Sequence, residues 1–179
     1  PRLTIVDVSD PASPTLAGKT PPLHGHVNDL AVAGGYAYIA AGNGGLRIVD
    51  VSNPTNPTQV GSHETSWSAL GATVAGDYVY VAVEEDGLRV IDVSDPSNPT
   101  EVGSTSGDYR DVAISGSYAY VAYWEGLRVI DVSDPTDPTR VGFYGTRDNA
   151  VEIAVAGSFA YMVTGSSGLH VIDISDPAG

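Results

Sequence analysis

The chain has 179 residues, enough for one domain with a sizeable core, and its 22 acidic against 8 basic side chains give a net charge of −14. That balance argues against nucleic acid and anionic membrane as partners, since both need basic patches. There is no cysteine, which excludes disulfides, thiolate metal sites and cysteine nucleophiles, and no apolar run nears the roughly 20 residues of a membrane-spanning helix.

One segment returns along the whole chain. It reads RLTIVDVSDPASPTLAG from Arg2, GLRIVDVSNPTNPTQVG from Gly45, GLRVIDVSDPSNPTEVG from Gly87, GLRVIDVSDPTDPTRVG from Gly126, and a shortened GLHVIDISDPAG from Gly168. The aspartate closing each aliphatic run (Asp7, Asp50, Asp92, Asp131, Asp173) marks a period of 43, 42, 39 and 42 residues. Leucine-rich repeats are shorter, and helical repeats of this length need an apolar period of 3.6, which is absent. A period of about 40–45 residues carrying only strand signals is that of a four-stranded propeller blade. Pro1 opens inside a repeat, with no leader segment ahead of it, so the chain reads as cut from something longer.

The unit from Tyr109 to Tyr144 shows the pattern most clearly. DVAISG is a short strand ending in a glycine turn, and SYAYVAY alternates bulky and small residues as a two-faced strand does. WEG is a tight hairpin turn, GLRVIDVS a third strand, DPTDP a turn and TRVGFY a fourth strand. In that turn Asp134 can bond its own backbone and Pro135 presets φ. Within the recurring segment prolines fall in these turns or at the first residues of the fourth strand, which makes the fourth strand the outer edge. The chain therefore reads as a two-strand start over 1–20, complete four-strand units over 27–64, 69–105 and 109–144, and a three-strand end over 150–176.

The first two strands of each unit are apolar on both faces. Leu30 and Val32 oppose Asp29, Ala31 and Ala33, while Tyr118 and Tyr120 oppose Ala119 and Val121. Such a sheet must be covered on both sides. Blades packed face to face around an axis achieve this, and a sandwich with a polar outer face does not. The expected class is all-β, a β-propeller of about four blades. The third strand occurs five times, at both ends of the chain, which leaves three arrangements open: an arc of a larger propeller, a small ring in which the first fourth-strand completes the last sheet, or subunits joined end to end by strand addition.

The repeats LRVIDVSDPxNPTxVG and DVAVxGxYAYVA resemble the LVIVD repeat family of bacterial and archaeal proteins, over nearly the whole chain. The resemblance implies a propeller on a secreted or surface-anchored chain. It implies no shared catalytic motif, and fold alone does not give function.

Three groups of residues are candidates for chemistry. The repeated acids come first: Asp7 with Asp10, Asp92 with Asp95, Asp131 with Asp134 and Asp173 with Asp176, with Asn53 as the second member after Asp50. Oxygen-rich turns can hold calcium, but the spacing is not that of an EF-hand loop and proline follows each second Asp, so the reading is turn capping with no cofactor. The third strands carry Arg47, Arg89 and Arg128, with His170 and Thr4 at the equivalent places. An arginine here is read as a tie to an acid on a nearby first strand, Asp29, Asp111 or Glu152. The loops entering each first strand vary most and hold His24, His26, His63, Trp67, Tyr109, Arg110, Arg147 and Asp148. Variable loops on a constant frame are where binding usually sits, and exposed aromatics beside polar groups suit sugars or protein partners. His24, His26 and His63 could also be drawn to a metal, but no carboxylate partner or second shell accompanies them, and no metal site is assigned.

No G-x-S-x-G elbow, P-loop, HExxH or dinucleotide fingerprint occurs. The expectation is a non-enzymatic extracellular or cell-surface module that binds protein or glycan through its loop face, without nucleic acid or membrane insertion. Two alternatives stand beside it, a filament subunit polymerising by strand complementation and, less favoured, a propeller-face hydrolase or lyase.

Overall fold

The computed structural model describes residues 1–177. It is all-β, with seventeen strands in five antiparallel sheets and no helix among the described residues. The first sheet is the hairpin β1 (Thr4–Asp7) and β2 (Thr15–Lys19). Three four-stranded meanders follow: β3 (Asp29–Ala33) to β6 (Thr58–His63), β7 (Ala69–Ala75) to β10 (Thr100–Thr105), and β11 (Tyr109–Ser115) to β14 (Thr139–Gly145). Between their outer strands run β4 (Tyr36–Ala40), β5 (Leu46–Asp50), β8 (Tyr78–Val83), β9 (Gly87–Asp92), β12 (Tyr118–Tyr123) and β13 (Gly126–Asp131). The last sheet holds β15 (Ala150–Ala156), β16 (Phe159–Thr164) and β17 (Gly168–Asp173).

Consecutive sheets pack face to face, and their first strands β3, β7, β11 and β15 lie side by side. The core is therefore divided into junctions. One joins Tyr38, Leu46 and Ile48 to Ala69, Ala72 and Ile91; the next joins Tyr80, Leu88 and Val90 to Val112, Val121 and Ile130; a third joins Tyr120, Leu127 and Val129 to Ile153, Met162 and Ile172. Each has the same grammar. A tyrosine from the second strand and two aliphatics from the third enter a surface built by small and branched residues of the following sheet. Burial on both faces is what the two-faced apolar pattern requires.

Each fourth strand also touches the following sheet. At Gly103 a Cβ would run into the Pro135 carbonyl oxygen, in the turn between β13 and β14. Gly18, Gly61 and Gly142 sit in the same way over the carbonyls of Pro54, Pro96 and Pro177. The repeated Val-Gly of the fourth strand is thus a contact point between sheets, and only a residue without a side chain allows the approach.

Among the described residues no strand pairing links the last sheet to the first. β2 pairs with β1, so it does not complete the sheet of β15, β16 and β17. The small-ring closure is not the arrangement this chain adopts.

Candidate functional site

The repeated acids are spent on turns. Asp7, Asp50, Asp92, Asp131 and Asp173 each accept through Oδ1 from the backbone N–H of the serine two residues on, at 2.8–2.9 Å. At Asp50 the Ser52 hydroxyl first and then its N–H, and at the other four the serine N–H first and then the side chain of that serine, hold the carboxyls below the ordinary aspartate range. The second members do the same one turn later, Asp10 to Ala12, Asn53 to Thr55, Asp95 to Ser97 and Asp134 to Thr136. Such Asx turns fix the link that swings the chain from third to fourth strand. Among the described residues no group of three or more His, Asp or Glu is placed to hold a metal ion.

The arginines of the third strands do not reach the first-strand acids, which corrects the expectation. Arg47 is buried; its Nη2 donates to Glu64 Oε1 at 2.7 Å and lies 3.2 Å from His24 Nδ1. Arg89 pairs with Asp86 and, at 3.1 Å, with Glu101, whose other oxygen lies 3.3 Å from His63 Nε2. The reason is position. A third strand stands two strands out from the first, so its side chains meet the loops and the fourth strand. The first-strand acids have another role: Asp29 Oδ2 accepts from the Ala72 N–H at 2.9 Å and Asp111 Oδ2 from the Ile153 N–H at 2.8 Å, each stitching its sheet to the next. Burial pushes the Asp111 carboxyl up to about 6, with help from the neighbouring Asp29 and Glu152 carboxylates and against the N–H bonds of Ile153 and Val112.

Arg128 departs from its two counterparts. It pairs with no carboxylate among the described residues; instead its guanidinium lies 4.1 Å from the ring centre of Tyr123 and 5.5 Å from that of Phe143. Tyr123 meets Tyr109 and Phe143 edge-on, at 6.1 and 6.4 Å. Arg128 and Arg140 then line a cleft of about 400 Å³ with Gly107, Asp108, Tyr123 and Trp124. Arg140 donates to Ser106 Oγ at 3.2 Å, and the Trp124 indole N–H donates to Tyr123 Oη at 3.1 Å. Asp108 Oδ1 and Arg128 Nε are buried without a partner. The cleft thus offers two guanidinium groups and an indole face. That set suits a ligand with an acidic group and a flat apolar side.

The loop candidates do not form one cluster. Tyr109 is fully buried rather than exposed: it is the first residue of β11, held by a bulge between Tyr109 and Asp111, and its hydroxyl donates to the Ser106 carbonyl at 3.2 Å. Arg110 is also in β11, beside Asn28, Asp29, Leu70, Asp111, Val151 and Glu152. His63 ends β6. Asp148 accepts from the backbone N–H groups of Ser166 and Ser167, both at 2.7 Å, which holds its carboxyl well below the ordinary range and pins the β16–β17 turn. His26 and Arg147 are exposed, and Trp67 is half exposed. Trp124, Arg140 and Asp108 do not stand among the candidates that the sequence offers. A signal is present: Trp124 stands in a hairpin turn where the other units carry Asn43, Glu85 and Ser166, an unusual place for an exposed indole.

The LVIVD repeat profile matches residues 2–20, 24–65, 68–106, 106–146 and 148–179, five copies that span nearly the whole chain. The chain belongs to the LVIVD repeat family. No curated protein matches it. Among solved structures this LVIVD chain is similar to two computationally designed proteins. It aligns with Ika8 at TM-score 0.72 and 11% identity over 90% of its length, and with Ika4 at TM-score 0.71 and 11% identity over 86%. It spans half the length of Ika8 and 94% of Ika4. At that identity the likeness speaks to the fold of the LVIVD chain and to nothing else.

Proposed function

We propose that this LVIVD chain is an arc of a β-propeller and serves as a non-catalytic recognition module outside the cell or at its surface. In this reading it binds an acidic glycan or an acidic segment of a protein on its loop end. The observation that carries the reading is the cleft between Trp124 and Arg128. Its two equivalents in the repeat, Arg47 and Arg89, are satisfied by carboxylates of the chain, and Arg128 is left to an aromatic neighbour and solvent. The frame supports the same division of labour, because the repeated acids are committed to turn N–H groups and the apolar strands to packing. Calorimetric titration with neutral and uronate-containing oligosaccharides and with acidic peptides tests it. Trp124→Ala and Arg128→Gln should each weaken binding about tenfold or more, as loss of an anchor residue does. Binding that survives both changes, or that ignores the acidic group, sinks the proposal.

A further inference from the structure

The second and third meanders carry the same third strand and opposite charges beside it. In the second, Arg89 faces Glu101, the second residue of β10, and its Nη1 donates to Glu101 Oε1 at 3.1 Å; Asp86, in the preceding turn, pairs with the same guanidinium. In the third, the second residue of β14 is Arg140. The ladders fix the equivalence. Glu101 stands opposite Ile91 and Arg140 opposite Ile130, each isoleucine two residues after the arginine of its strand. Where one meander supplies its own counter-charge, the next supplies a second cation.

Nothing inside the chain makes up for the reversal. Glu125 precedes Arg128 by three residues, as Asp86 precedes Arg89, but it is exposed and joins no ion pair among the described residues. Arg128 lies over the Tyr123 ring with its Nε buried and unpartnered, and Arg140 reaches only the neutral Ser106 Oγ. Two guanidinium groups lining one cleft repel each other, and a half-buried cation without an acceptor is costly. One carboxylate between them relieves both, and its place is the one that the Glu101 carboxylate holds beside Arg89.

We propose that the cleft takes a single uronic acid residue of an otherwise neutral glycan, its carboxylate between Arg128 and Arg140 and its ring on the indole of Trp124. The proposal rests on the recognition reading above and narrows it to one ligand class. The ring follows from the indole. Trp124 is 51% exposed and its N–H is satisfied by Tyr123 Oη, so it offers an apolar face. A uronic acid joins a flat C–H face and a carboxylate in one rigid unit. An acidic side chain of a peptide has a flexible stem and no such face, so it meets the arginines and leaves the indole bare. The single charge follows from the net charge of −14, which repels a polyanion as a whole while the cleft answers one acidic group. A volume of about 400 Å³ stands at the small end of ligand sites and fits a short glycan.

Calorimetric titration of the whole chain tests this with four probes: a trisaccharide carrying one glucuronic acid, its all-neutral counterpart, an all-uronate trisaccharide and a glutamate-containing peptide. The single uronate should bind tightest. The neutral sugar should bind at least about tenfold more weakly, and the all-uronate sugar should be weaker at low salt and approach the single uronate as salt is raised. Arg140→Glu gives Arg128 the internal counter-charge that Arg89 has, and should weaken the single uronate about a hundredfold; Arg140→Gln should weaken it about tenfold. Arg140 is exposed, and unchanged circular dichroism checks that both variants fold. Single-uronate binding that survives Arg140→Glu, or an all-uronate sugar that binds tighter at low salt, overturns this proposal and leaves the recognition reading standing on Trp124 and Arg128. A peptide that binds tighter than the single uronate and is weakened by Trp124→Ala overturns the glycan assignment in favour of a protein partner. Absence of binding by every acidic probe overturns both the proposal and the reading beneath it.

Discussion

The inner strands β12 and β13 and the terminal strands β16 and β17 are nearly the same sequence in different company. Leu127 is 1% exposed and Leu169 64%; Val129 is 5% exposed and Val171 57%. Local structure is unaffected, since both pairs form six-residue antiparallel ladders in the same register. What changes is cover. In β16 burial alternates from residue to residue, whereas in β12 four consecutive residues are buried. A strand of this family is specified by its own residues, but its apolar face is stabilised only by the sheet that follows.

That contrast can be broken by deleting the same atoms in both settings. Leu127→Ala should cost about 3 kcal/mol in urea unfolding, the usual cost of truncating a buried leucine. Leu169→Ala, measured on dilute monomer, should change stability by less than about 0.5 kcal/mol. Equal losses would mean that the terminal face is covered in solution. A second pair tests the rim contact. Gly103→Ala drives a methyl group into the Pro135 carbonyl and should cost about 2 kcal/mol, an overpacking value. Gly157→Ala meets nothing within 4 Å and bears only the strain of a positive φ, so its cost should be about 1 kcal/mol.

Most of the frame was legible because the repeat speaks five times. The turn acids, the meander order and the fourth-strand edge follow from residues whose partners lie within one unit. The arginine partners were misread because Asp29 and Asp111 look like free counter-charges in the sequence. Their actual acceptor role depends on the N–H groups of the next sheet, which no local pattern displays. Tyr109 was read as a loop aromatic because GDYR looks like a turn; the bulge that carries it into β11 is a pairing between strands. Gly71 had no reading at all. It stands where Asp29 and Asp111 stand in their own units, and its missing side chain makes room for the Asp111 carboxylate. The cleft stayed hidden because Asp108, Trp124 and Arg140 come from three separate segments.

A further expected effect is one of pH, and it too separates the inner junctions from the turns. Asp111 is raised to about 6 in the folded chain and returns to the ordinary 3.8 on unfolding. As pH falls from 7 through 6 toward 4, the folded state takes up a proton that the unfolded state does not, so stability rises. The turn carboxyls run the other way. Asp50, Asp92 and Asp131 lie below 3.8 when folded, so their stabilisation is present above that value and is lost as pH falls through their folded range. Melting temperature should therefore climb by a few degrees between neutrality and pH 4, about 1 kcal/mol for a chain of this size, and then drop. Asp111→Asn keeps an acceptor for the Ile153 N–H and removes the titration. It should flatten the climb and leave the acid-side drop in place; a climb that persists in this variant would assign the proton to another group.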